Sequence, residues 1–138
     1  MREIWFVDGY NILGAEENKE GLSIDHARDR LADELADFSG FTNIDIVLVY
    51  DVKNNKGSET MVSGVRVVYT QAEETADQYI ERQCALLSRE RCTVRVATGD
   101  GMEQHMILGL GALRMSAKEL IQTLRQAKRQ RRQMQEKT

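Results

Sequence analysis

Ile4-Trp5-Phe6-Val7-Asp8 is a run of four apolar residues that ends in an aspartate. Three later runs, at 44–51, 65–70 and 93–98, are rich in Val, Ile and Tyr and nearly continuous in apolar character. Such runs are typical of strands that are covered on both faces of a sheet. Each of the four ends in a carboxylate or lies shortly before one. In a parallel α/β sheet the carboxyl ends of the strands share one edge, so the sequence predicts that these acids gather there.

Helical periodicity follows or separates the predicted strands. Apolar residues recur at three- and four-residue steps within 24–38, 76–87 and 117–124, which indicates three helices with buried faces. A residue suited to cap a helix precedes each of them: Ser23, Thr75 or Glu74, and Ser116. Right-handed crossovers then predict a three-layer α/β sandwich with a mainly parallel central sheet of about four strands. A short helix near 102–109 and a long C-terminal helix complete the predicted order.

The segment from Val52 to Gly64 is polar and contains glycine, and it leaves the edge of the sheet where the acids gather. We interpret it as a long loop. Two roles are open for it, a mobile substrate flap and a simple surface connection.

Length and composition indicate one domain without a membrane span. The chain has 138 residues, of which 30% are charged and 41% hydrophobic, as is ordinary for a soluble globular protein. No apolar run approaches the ~18 residues of a membrane helix, and the N-terminus lacks the pattern of an export signal. We therefore expect a cytoplasmic protein. Cys84 and Cys92 do not form a metal-ligand pattern and are interpreted as reduced, packed thiols.

The net charge of −3 hides an asymmetry between two parts of the chain. Residues 1–111 carry 11 Lys and Arg against 20 Asp and Glu, which gives −9. Residues 112–138 carry 8 Lys and Arg against 2 Glu, which gives +6. A basic tail on an acidic body is expected of a protein that meets polyanions with one element and metal cations with another.

Four aspartates are central to the predicted site: Asp8, Asp51, Asp77 and Asp100. Taken singly, each has a structural explanation as a turn residue, a helix cap or a complement to a helix dipole. Together they favour a functional site, since no run of Lys or Arg balances them and clustered carboxylates repel unless a cation neutralises them. Glu74 lies three residues before Asp77, a spacing that places both on one face of a helix.

Such a cluster suits phosphodiester hydrolysis assisted by Mg²⁺ or Mn²⁺, because hard oxygen ligands bind these ions. Whether the site holds one ion or two is open. Asn11 could orient a water or hold a phosphate, and Thr98 could bind or position a metal ligand. Both could instead be backbone caps.

Four motifs in order carry a resemblance to a known family: Asp8-Gly9-Tyr10-Asn11, Glu74-Thr75-Ala76-Asp77, Ala97-Thr98-Gly99-Asp100 and Gly109-Leu110-Gly111-Ala112-Leu113-Arg114-Met115-Ser116-Ala117-Lys118-Glu119-Leu120. From Asp8 to about Leu124 the chain resembles the YacP-like branch of the NYN domain family, whose fold is PIN-like. The chain departs from the family at Gly99 and Gly101, where members often carry Ser and a bulkier residue.

The resemblance implies a metal-dependent endoribonuclease. It implies that the central acids and metal ligands are Asp8, Asp77 and Asp100, with Asn11, Asp51 and Glu74 in support. The best understood bacterial members cut mRNA on translating ribosomes, so the resemblance implies mRNA and the ribosome as partners.

The predicted nuclease domain covers 1–124, and a basic helical extension covers 125–138. Its cations are expected to bind RNA phosphates rather than only to form a solvated helix face: Arg125, Lys128, Arg129, Arg131 and Arg132. Aromatic residues for base stacking are few, so sequence-specific readout by this chain alone is not expected. His105 could approach the site, although an activated water needs no His as a base.

Two further functions are open. A non-catalytic RNA- or ribosome-binding module on the same fold would be favoured if the acids failed to bind metal. A phosphatase or phosphoacceptor domain ranks last, because Asp8-Gly9-Tyr10 lacks a second Asp two residues on and no Lys follows the last strand.

Overall fold

The computed structural model describes residues 2–16, 21, 23–51, 56–99, 109 and 111–136. The strands in these ranges are β1 (Arg2–Asp8), β2 (Asp45–Tyr50), β3 (Lys56–Val62), β4 (Val65–Gln71), β5 (Cys92–Thr98) and β6 (Leu113–Ser116). The helices are α1 (Gly9–Ala15), α2 (Ile24–Thr42), α3 (Ala76–Leu87) and α4 (Ala117–Glu136). No helix among the described residues is long and apolar enough to cross a membrane.

One six-stranded sheet forms the centre of the molecule, in the order β3-β4-β2-β1-β5-β6. Every neighbouring pair is parallel except β3 and β4, which form an antiparallel hairpin. The two central strands, β1 and β2, are buried on both faces, as their continuous apolar runs predict. The predicted mainly parallel three-layer α/β sandwich is confirmed.

Helices cover both faces of the sheet. The core on one face contains Trp5 and Val7 of β1 and the apolar stripes of α1, α2 and α4. The core on the other face contains Phe6 and Val96 against the stripe of α3. β1 therefore sends alternate side chains into two different cores, and Asp8 falls on the α3 face with Phe6.

Local capping fixes where the helices begin. The hydroxyl of Ser23 accepts the backbone N–H of His26 at the start of α2. Thr75 and Gln78 form a complete capping box at the start of α3, and Ser116 accepts the backbone N–H of Glu119 at the start of α4. The three predicted caps are thus present, with Thr75 rather than Glu74 at α3.

The sheet has more strands than the sequence predicted. The predicted loop 52–64 contains β3, so the interpretation of its residues 56–62 as loop is wrong. β3 is exposed along most of its length, so it carries no apolar run. The sequence also did not predict β6, which has four residues, or α1, which has seven. Both lie within stretches that were interpreted as motifs. Residues 52–55 and almost all of the helix predicted near 102–109 lie outside the described residues.

Candidate active site

The carboxyl edge of the sheet gathers three of the predicted acids. Asp8 is the last residue of β1, Asp51 follows β2, and Asp77 lies in the first turn of α3. They meet because β1 and β2 are neighbours and α3 covers the face on which Asp8 lies. One cavity of about 330 Å³, the acid cavity, is lined by Asp8, Tyr10, Asn11, Asp51, Thr75, Ala76 and Asp77.

Asp8 is the most buried of these acids, with 6% of its surface exposed. Burial raises the pKa of its carboxyl group to about 6, and the nearby charges of Asp77 and Asp51 add to the rise. The side-chain amide of Asn11 opposes this rise by donating a hydrogen bond to Asp8 Oδ2 at 2.5 Å. Because α1 begins directly after Asp8, its first turn returns Asn11 to the carboxylate. Asn11 therefore positions Asp8.

Asp77 is half-buried and interacts with Asp8. Burial and the charge of Asp51 raise the pKa of Asp77, while a hydrogen bond with Asp8 lowers it. Its Oδ1 is fully buried and has no hydrogen-bond partner among the described residues. A carboxylate oxygen in this position is costly unless a proton or a cation satisfies it. Two acids that line one cavity, both with a raised pKa, are the electrostatic signature of a site that takes up positive charge.

Asp51 contributes charge from the exposed rim of the acid cavity. Its Oδ2 accepts the backbone N–H of Ala76 at 3.5 Å, a long hydrogen bond that joins the end of β2 to the first turn of α3. An acid at a helix N-terminus is stabilised there. The structural interpretation of Asp51 as an acid at a helix N-terminus is therefore confirmed, and its supporting role in the site stays a prediction.

Glu74 does not join the other acids. α3 begins at Ala76, so Glu74 precedes the helix, and the prediction that it shares a helix face with Asp77 is wrong. Its two carboxylate oxygens accept hydrogen bonds from the guanidinium of Arg82 at 3.0 and 3.1 Å. Glu74 lines a neighbouring cavity on the far side of Thr75.

Thr98 lies beside Asp8 in the sheet. The register pairs Val7 with Ala97, so the next position places Thr98 next to Asp8 on the α3 face. Thr98 is fully buried, and its hydroxyl has no hydrogen-bond partner among the described residues. Asp100, the third predicted metal ligand, and His105 lie outside the described residues. Within the described part of the chain, no group of three or more His, Cys, Asp or Glu is arranged to hold a metal ion.

Comparison with known proteins identifies the family. A family model for the YacP-like NYN domain matches residues 5–138. The chain belongs to the YacP-like NYN domain family. The NYN domain is part of a nuclease superfamily, and its fold is PIN-like.

The chain is similar to a YacP-like NYN protein of Bacillus subtilis. Over 124 residues it is 38% identical to "Uncharacterized protein YacP" of strain 168, and the match covers 86% of this chain and 73% of that protein. The crystal structure of Rae1 (YacP) from the same organism has a TM-score of 0.81 and 34% identity, and covers 97% of this chain and 80% of that one. The crystal structure of a tryptophan-to-leucine mutant of that protein matches this chain with a TM-score of 0.79, and the match covers 93% of this chain and 78% of the mutant chain.

Two glycines allow the first turn of α1 to pack closely in this YacP-like NYN chain. A Cβ on Gly9 would lie 2.1 Å from the ring of Tyr50, so only glycine fits this contact. A Cβ on Gly99 would lie 2.7 Å from Asn11 Oδ1. Gly99 therefore leaves room for the amide that positions Asp8.

An aromatic cluster beside the acid cavity was not predicted from the sequence. Tyr10 and Tyr69 lie on either side of the buried ring of Tyr50, with centroid distances of 4.8 and 5.5 Å. Arg28 donates to the hydroxyl of Tyr10 and lies over the ring of Tyr69 at 5.9 Å. Tyr50 and Tyr69 are paired in the register at the ends of two predicted strands, which is the signal that would have placed them together.

The basic residues of the C-terminal segment lie on α4, away from the acid cavity. α4 begins at the carboxyl edge, after β6, and packs back along α1 and α2. At 1.5 Å per residue, its basic stretch begins about 12 Å from the start of the helix. Four of the five predicted RNA-binding residues are exposed: Arg125, Lys128, Arg129 and Arg132. Arg131 is three-quarters buried and forms an ion pair with Asp37 at 3.8 Å.

Proposed function

We propose that this chain is an endoribonuclease that depends on Mg²⁺ or Mn²⁺ and hydrolyses phosphodiester bonds of RNA. The observation that carries the proposal is the pair of acids on the acid cavity: Asp8 and Asp77 both have a raised pKa, and the buried Oδ1 of Asp77 has no hydrogen-bond partner among the described residues. Membership of a nuclease superfamily supports RNA hydrolysis over the phosphatase and phosphoacceptor alternatives.

The acid cavity fits a divalent cation by its donor chemistry. Asp8 and Asp77 supply hard oxygen atoms, and Asp100 is the third ligand that the family resemblance implies. When bound, Mg²⁺ or Mn²⁺ neutralises charge on the scissile phosphate and lowers the pKa of the attacking water. The open mouth of the cavity leaves room for a phosphodiester.

The residues of the chain itself have separate tasks in this proposal. Asn11 fixes the orientation of the Asp8 carboxylate, and Asp51 adds negative charge at the rim. Thr98 offers a buried hydroxyl beside Asp8. Glu74 has no task in the acid cavity, because its carboxylate binds Arg82 outside that cavity.

We also propose that the physiological substrate is mRNA on the translating ribosome, in the cytoplasm. The body of the protein is acidic, so free RNA has little electrostatic reason to approach the acid cavity. The exposed cations of α4 lie elsewhere and are suited to phosphates of a larger assembly.

A cleavage assay of a defined mRNA, with and without purified ribosomes and Mg²⁺, tests both parts. We expect cleavage that needs the divalent ion and is faster and more site-selective with ribosomes. An Asp77→Asn variant that binds ribosomes but does not cut separates catalysis from recruitment. A parent protein that binds ribosomes and cuts nothing under any of these conditions would favour the non-catalytic module.

A further inference from the structure

A second cavity, of about 620 Å³, lies beside the acid cavity between the β3–β4 hairpin and α3. We call it the hairpin cavity. Its lining includes Ser58, Tyr69, Thr70, Gln71, Tyr79 and Arg82. The proposed hydrolysis makes no use of these side chains.

Thr70 supplies the hairpin cavity with a polar group that the fold leaves unused. It is 2% exposed, and its hydroxyl has no hydrogen-bond partner among the described residues. Thr70 shares the α3 face with Val68, two residues earlier in β4, so it lies on the side of the sheet that Tyr79 also covers. A buried hydroxyl without a partner is unfavourable for folding, and a ligand that bonds to it removes the cost.

Arg82 supplies a flat surface that is already fixed in place. Its guanidinium lies over the ring of Tyr79 at 5.2 Å, and Glu74 holds it with two hydrogen bonds. The side chain is still 53% exposed. A planar guanidinium held in this way is a platform on which a nucleobase can stack, and little side-chain entropy is lost when it does.

The charges of the lining do not suit a phosphate. Lys56 and Arg82 face three acids, Glu59, Glu73 and Glu74. Glu74 pairs with Arg82, and Glu59 pairs with Arg66 at 2.8 Å. The other groups of the lining are hydroxyl, amide and aromatic groups, and the lining as a whole is nearly neutral. Hydroxyl and amide groups suit the polar edge of a base, and aromatic groups suit its face.

The hairpin cavity lies within reach of RNA bound at the acids. The register pairs Asp8 with Val49 and Val49 with Val68, so two strand spacings, about 10 Å, separate β1 from β4. Asp8 and Thr70 lie on the same face of the sheet, the one that α3 covers, so both cavities are on that face.

We propose that the hairpin cavity binds a nucleobase of the RNA substrate that flanks the cleaved bond, with Arg82 stacked on its face and Thr70 bonded to its polar edge. This rests on the proposed function for the identity of the substrate. It gives the chain a local preference for certain bases despite its few aromatic residues.

NMR titration of the parent protein with adenosine, guanosine, cytidine and uridine in turn, in EDTA, tests the proposal. At least one nucleoside should shift the backbone amides of Gln71 and Tyr79 saturably, and a short single-stranded RNA should shift the same amides. Thr70→Val should weaken the nucleoside about 2- to 10-fold, the value of one hydrogen bond. Arg82→Leu should weaken it about 5- to 150-fold, the value of one stacked base. Thr60→Val, on the exposed part of β3, is the matched control and should change nothing.

Nucleosides contain no phosphodiester, and the titration needs no metal. It therefore measures binding to the hairpin cavity whether or not the chain cuts RNA. Loss of cleavage in the parent would remove the proposed function and leave this result standing. Three results would overturn the proposal: no shift with any nucleoside, the same affinity in both variants, or a response of these amides to inorganic phosphate instead.

Discussion

At the scale of single residues, Asp8 is buried where its charged form is unfavourable. Its pKa rises from 3.8 to about 6 because of burial, so the folded protein holds a proton that the unfolded chain releases. The folded state therefore loses unfolding free energy as the pH rises from about 4 to 6, and above pH 6 the whole loss is present. The shift of roughly two units corresponds to about 3 kcal/mol.

Asp8→Asn should remove this penalty. In metal-free buffer we expect the variant to gain up to about 3 kcal/mol in the free energy of unfolding at pH 8 and little at pH 4, because asparagine does not titrate. Urea denaturation in EDTA at the two pH values measures the difference. Asp29→Asn, on the exposed face of α2, is the matched control. A gain for Asp8→Asn that does not depend on pH would show that burial of charge is not its cause.

Gly9 is the residue whose size the fold constrains most tightly. Gly9→Ala places a Cβ against the ring of Tyr50, and we expect a loss of about 1–3 kcal/mol in unfolding free energy and a displaced Asn11. Gly14→Ala in the same helix meets nothing within 4 Å and should stabilise by about 0.5–1 kcal/mol. Thermal melts of both variants test the contrast. Equal behaviour of the two would contradict the close packing of α1 on β2.

At the scale of elements, apolar runs predicted the four buried parallel strands, and three- and four-residue spacing predicted α2, α3 and α4. The two missed strands lack that signal. β3 alternates little and is mostly exposed, so only its turn could have revealed it: Ser63 and Gly64 both have positive φ, as a two-residue hairpin requires.

The site was predicted as far as strand ends determine it. Asp8 and Asp51 meet because two neighbouring parallel strands end at one edge, and Asp77 joins them because α3 begins at that edge. The hydrogen bond from Asn11 to Asp8 depends on the exact residue at which α1 begins. The pairing of Glu74 with Arg82 depends in the same way on the start of α3. Sequence periodicity does not determine the end of a helix to within one residue.

α4 is the element on which RNA or ribosome association is expected to depend. Its exposed cations are Arg125, Lys128, Arg129 and Arg132. Replacing them with Gln should weaken association and flatten the dependence of log affinity on log salt by about 0.7–0.9 per lost phosphate contact. Including Arg131 should add a small loss of stability, because it pairs with Asp37. Binding isotherms at several salt concentrations give the slope. A variant with Gln at Arg2, Arg89, Arg91 and Arg95 has the same charge change elsewhere on the surface and is the control. An equal slope for the two variants would show that α4 is not a phosphate-binding element.

At the scale of the whole molecule, the acid cavity and the exposed cations of α4 lie apart. α4 starts at the carboxyl edge and its basic stretch continues about 12–24 Å along the helix. A partner that meets both surfaces must be extended, which favours a ribosome carrying mRNA over a short RNA.

Naked mRNA should therefore be cut slowly and with weak selectivity. The acidic body gives free RNA little attraction, and none of the exposed cations of α4 lines the acid cavity. Time courses on the same mRNA, free and bound to ribosomes, compare rates and cut positions. Equally rapid and site-selective cutting of naked mRNA would remove the reason for involving the ribosome.

The most direct test of the acid cavity as a metal site is a set of paired melting curves of the parent and Asp77→Asn, with and without Mg²⁺ or Mn²⁺. Without metal, we expect the variant to melt at the same temperature or higher, because a crowded and partly unpaired carboxylate has been neutralised. With metal at about 100 times its Kd, the parent should gain about 2.7 kcal/mol and the variant much less. RNA cleavage by the variant should fall by orders of magnitude. A variant that is destabilised with or without metal and still cuts RNA would contradict the metal site.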